Sequence, residues 1–148
     1  MQGFEAIVGV LRRRLSAETE LVAADSIVRT LFAKGNPSPR MLNMVLLAAE
    51  KRLGAAVLLL AAPSGVVIGT GEDETLEGAD LSASPLVTGA IHTSTGATSL
   101  WGVGHRLVMV SSRAIKDGDL PIAVVLLGIA LDDATLAAFE ASTGPKWP

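Results

Sequence analysis

The side chains able to bind or transform a small molecule gather in one stretch of this chain, "HTSTGATSLWGVGHRLVMVSSRAI" (92–115). An arginine presents a planar fork of N–H donors to a carboxylate, a histidine adds a second donor, and a Thr/Ser/Gly turn offers hydroxyls and backbone N–H groups. On that chemistry His92, Thr93, Thr95, His105, Arg106 and Arg113 form an anion-binding set. Ser111 adds a hydroxyl, and Trp101 is either a stacking platform or ordinary rim packing. The implied partner is a small organic ligand, with a carboxylate as one candidate. Strand alternation limits the set. It puts Arg106, Val108, Val110 and Ser112 on one face and Leu107, Met109, Ser111 and Arg113 on the other, so both arginines enter one pocket only through a bulge. For each arginine alone a solvated position is the competing reading, and for the histidines a satisfied turn position.

Catalysis finds less support. With no cysteine and 2 histidines, thiolate nucleophiles, disulfides and Cys-ligated zinc are excluded, and a histidine-based metal site has few ligands. The fragments "GTGEDE" (69–74) and "GVGHRL" (102–107) lack the Lys-Ser/Thr ending of a phosphate loop. No serine sits in a Gly-x-Ser-x-Gly elbow, and spacing supports no Ser-His-Asp set. The expectation is a binding protein and not an enzyme, with no cofactor and no metal.

The elements that position these residues follow from hydrophobic spacing. Phe4, Ile7, Val8, Leu11, Leu15, Val22, Ile27, Val28, Leu31 and Phe32 recur mostly three or four apart, which predicts a long helix over 1–34, roughly 45 Å if continuous. "GNPSP" (35–39) stops it and starts a second helix over 40–53, with Met41, Leu42, Val45, Leu46 and Ala49 inward and Gly54 at its end. "AAVLLLAAPSGVVIGTG" (55–71) reads as two strands about a Pro63-Ser64-Gly65 turn. The acidic stretch 71–82 reads as a surface loop, and Ser-Pro at 84–85 starts a short helix to about His92. Strands follow near 97–101, over 105–115 and over 121–131, the last two joined by a "KDGD" turn (116–119). Short connections force these three to pair antiparallel. "IAVVLLGIAL" (122–131) has no polar face, so it belongs in the centre of the sheet, with the first helix on one side and an enclosed space on the other. The segment 83–93 would roof that space.

A chain of 148 residues fits a single domain able to bury about 70% of its unfolded surface. The net charge of −3 lacks the clustered basic face that a nucleic-acid partner wants. Neither long apolar run approaches the roughly 20 residues of a membrane-spanning helix, and no signal peptide is evident.

The closing residues Gly128, Ile129, Leu131, Asp132, Asp133, Leu136, Phe139, Thr143 and Gly144, with the helix, Ser-Thr-Gly turn and strand of 84–115, resemble the Cache (PAS-like, PDC) sensor domains of bacterial receptors. The likeness spans roughly residues 55–144. It implies an α+β fold: a PAS-like five-stranded antiparallel sheet preceded by a long N-terminal helix and closed by a short helix over 132–144, with Asp132 and Asp133 as its N-terminal cap. It also implies an extracytoplasmic (periplasmic) ligand sensor of an inner-membrane receptor, a homodimer through the N-terminal helix, and flanking membrane helices outside this chain. A cytoplasmic roadblock-type dimerisation module is the alternative; a solid sheet face free for sheet-to-sheet pairing would favour it.

Overall fold

The computed structural model describes residues 2–24, 38–71, 78–92, 97–103, 106–117 and 119–131, with the side chains of 2–8, 39, 103, 106 and 117 outside that set. Helix α1 spans Gln2–Ala23. It closes with the Ala24 N–H donating to the Glu20 carbonyl at 3.0 Å, so its 22 residues extend about 33 Å. The expected continuation to residue 34 lies outside the described residues.

Helix α2 spans Pro39–Leu53, started by Ser38, whose hydroxyl accepts from the Met41 N–H at 3.2 Å, and ended by Gly54 at φ 66°. Only a residue without Cβ takes that left-handed turn cheaply. The start at Pro39 sets the helical phase: Leu42, Leu46 and Ala49 turn inward. Met41, expected inward, is instead 52% exposed, on the outer side with Met44.

Strands β1 (Val57–Ala61), β2 (Val67–Thr70), β3 (Ala97–Val103), β4 (Arg106–Asp117) and β5 (Leu120–Ala130) form one five-stranded sheet, ordered β2-β1-β5-β4-β3. Every pairing is antiparallel. The strand without a polar face is central, as its composition demands: Ala123 through Leu127 are all 0% exposed. The hairpin read as a turn over 116–119 is tighter. Strand β4 continues to Asp117 through a register slip after Ile115, and β5 begins at Leu120.

Two apolar layers flank the sheet. On the helical face Leu58, Leu60, Met109, Ile115, Val125 and Leu127 pack under α1 and α2, against Leu15, Val22, Leu42 and Leu46. On the opposite face Val57, Leu59, Val67, Val108, Val110, Val124 and Leu126 pack under helix α3 (Pro85–His92) through Leu86, Val87 and Ala90. A closing helix over 132–144, with its Asp132–Asp133 cap, falls outside the described residues.

Gly128 lies at a close approach of strands in the second layer. A Cβ there would sit 2.6 Å from Val57 Cγ1 and 2.7 Å from Val108 Cγ1, and β-branched neighbours on central strands have little room to turn. Gly128→Ala is expected to lower stability by about 1–3 kcal/mol, read as an earlier midpoint in urea unfolding with an unchanged slope.

Candidate functional site

The site is built on the sheet face beneath α3. Cross-strand registers place Thr70, Leu59, Leu126, Ser112 and Ala97 in one row across all five strands. A second row runs Val57, Gly128, Val110 and Ser99, and a third runs Ala130, Val108 and Trp101. The wall is aliphatic, with hydroxyls at Thr70, Ser112 and Ser99.

Helix α3 forms because Ser84 caps it, its Oγ accepting from the Leu86 N–H at 3.2 Å, and because Pro85 has φ already set for a first turn. Its apolar side lies on the sheet. Two contacts hold it there. Ser112 Oγ donates to the Leu86 carbonyl at 2.6 Å, and Gly89 comes so close to β3 that an added Cβ would lie 2.9 Å from the Ala97 Cβ. The approach to α3 is edged by the bridge between Val66 and Asp80. There the Asp80 carboxylate accepts from the Ser82 N–H at 2.9 Å, a bond that holds its carboxyl below the usual range.

The expected ligand residues divide. His92 is the exposed last residue of α3, and Trp101 is half-buried against the layer beneath that helix. Thr93, Thr95 and His105 lie outside the described residues. Arg106 opens β4 opposite Val103, with its side chain outside the described set.

Ser111 and Arg113 stand on the other face of β4. Both belong to the alternating set of β4 that turns toward α1: Ser111 stands opposite Leu127 and Arg113 opposite Val125, and those partners pack under the N-terminal helices. Arg113 Nη2 lies 3.4 Å from Glu20 Oε2 of α1, and its side chain is 19% exposed. Neither residue shares the layer under α3; Arg113 is partly buried, and its partner Glu20 is 62% exposed. The residue passed over is Ser112. Alternation already put it on the Val108 and Val110 face, and a lone hydroxyl in such a company was the available signal.

The described wall offers apolar contact and hydroxyls. Among the described residues no group of three His, Asp or Glu side chains is placed to hold a metal ion.

The sequence matches no protein-family model and no curated protein sequence. The fold does have counterparts. The E. coli DcuS sensor domain superposes with a TM-score of 0.71 at 12% identity, over 92% of this chain and 98% of that one. The chain has the fold of the Cache-type sensor domains. The sensor domain of the V. cholerae histidine kinase DctB follows at a TM-score of 0.69 and 16% identity, over 98% of this chain and 57% of that one. The ligand-binding domain of the Campylobacter jejuni chemoreceptor Tlp3, in complex with L-valine, gives 0.71 at 16% identity, over 95% of this chain and 60% of that one. The chain thus matches nearly all of the DcuS domain and about three-fifths of the other two.

Ser112→Ala removes the hydroxyl that holds α3. A loss of about 1 kcal/mol is expected, with faster amide exchange confined to residues 85–92.

Proposed function

We propose that this chain is the ligand-sensing domain of a bacterial transmembrane signal-transduction receptor, lying outside the cytoplasm and binding a small organic molecule beneath α3. One observation carries the reading. Consecutive residues of β4 grip opposite layers: Ser112 holds the α3 backbone, and Arg113 holds Glu20 of α1. A ligand that favours one setting of α3 over another is thereby tied to the N-terminal helix, and only such a differential affinity moves an equilibrium. The fold shared with DcuS, DctB and Tlp3 sensor domains supports the same reading. No helix among the described residues is long and apolar enough to cross a membrane.

A roadblock-type adaptor would pair two open sheet faces. Here α1 and α2 cover one face and α3 lies on the other. With Arg113 engaged toward Glu20, a carboxylate ligand would rely on the rim at His92 and the start of β4.

Dimerisation through α1 is part of the proposal. Val10 is 37% exposed and Leu21 is 70% exposed. With exposed Ala17 they fall at spacings of seven and four, one stripe of a helical seam. Beside the stripe Arg14 Nε meets Glu18 Oε1 at 3.4 Å, a pair at i,i+4, too exposed to add more than about 0.5 kcal/mol.

A thermal-shift screen of small carboxylates, amino acids and amines tests the sensing claim. A ligand at about 100 times its dissociation constant should raise the melting midpoint by about 5–10 °C; a flat response across the screen would count against it. For the seam, Leu21→Glu should yield a monomer in sedimentation with unchanged circular dichroism, and a wild-type chain already monomeric at high concentration would refute it.

A further inference from the structure

Thr70 is fully buried, at 0% exposure, and its hydroxyl has no hydrogen-bond partner among the described residues. Its backbone is provided for, since the N–H donates to Asn43 Oδ1 of α2 at 2.9 Å. The preceding residue fixes the direction of the side chain. A Cβ on Gly69 would point at Leu46 Cδ1, 3.0 Å away under α2, so Thr70 turns to the other face, cross-strand from Leu59. It therefore begins the row that ends in Ser112 and Ala97, about 14 Å from Ser112 by three interstrand spacings. The two buried hydroxyls of that row differ in one respect: Ser112 meets the Leu86 carbonyl, and Thr70 has no hydrogen-bond partner among the described residues.

Segment 78–81 runs beside this end of the sheet. Val67 N–H donates to the Ala79 carbonyl at 2.9 Å, and Gly78 N–H donates to the Val67 carbonyl at 3.0 Å. Ala79 and Leu81 pack on the same layer as Val57 and Leu59. A valine of equal shape would fill position 70 without a polar atom to desolvate, so the hydroxyl costs stability that no described protein contact returns.

We propose that Thr70 is a ligand-contacting residue. Its hydroxyl bonds an uncharged oxygen or nitrogen of a small molecule whose aliphatic body lies against Leu59 and Val57, beneath segment 78–84. This rests on the sensing function above and narrows its ligand class. The described wall has no charged side chain, so a dianion would be stripped of water there with nothing to pair it. The fitting class is a small branched aliphatic molecule with a hydrogen-bonding group, any charged end being directed to the rim.

Two measurements on the 148-residue chain decide it. In the ligand-free protein Thr70→Val should melt above wild type and Thr70→Ser below it; a Thr70→Val protein that melts lower has lost a structural hydrogen bond and overturns the proposal. Calorimetric titration with isobutyramide, L-valine and succinate then tests the ligand class. Isobutyramide or L-valine should bind wild type and lose about tenfold in affinity in Thr70→Val. Equal affinity for the two proteins, binding of succinate alone, or binding of none of the three each overturns the proposal. The sensing function falls separately, on a flat wide screen.

Discussion

Burial of β5 on both faces is the constraint on which the rest of the structure depends. Five successive residues, Ala123 through Leu127, are removed from water, and a strand with no polar side is stable only when each face has an apolar cover. Its ladder groups are met by β1 on one side and β4 on the other, which leaves the shorter or more polar strands β2 and β3 at the edges. Two covers are then required. The N-terminal helices supply one and α3 supplies the other, so the layered order of the domain follows from one apolar run.

Strand β4 shows how a two-sided sheet ties its two covers together. Its even positions, Val108, Val110 and Ser112, share a layer with α3, and its odd positions, Met109, Ser111 and Arg113, share a layer with α1. Polar contacts on the two sides come from adjacent residues. Apolar packing alone tolerates sliding, whereas a hydrogen bond from Ser112 and an ion pair from Arg113 assign each helix a register on the strand. The tie from roof to N-terminal helix is therefore one peptide unit long.

Much of this was legible from residue order. The central place of residues 121–131, the antiparallel C-terminal meander and the Ser84-Pro85 helix start all rest on short-range rules, and the structure bears them out. The site was less legible. Arg113 carries the chemistry of an anion fork, and residue type alone recommends it to a pocket; its partner, Glu20, is 93 positions away in sequence. Met41 failed for a related reason: its apolar character suits a core, but the helical phase set at Ser38 and Pro39 turned it outward.

What the sequence by itself determined is periodicity: which residues of each strand stand together, which run must be buried twice, and where helices start and stop. What only the tertiary structure decided is which alternating set meets which cover. A repeat of two residues divides a strand into two sides and is symmetric between them. That symmetry is broken by long-range docking, when α1 brings Glu20 to one side of β4 and α3 brings the Leu86 carbonyl to the other.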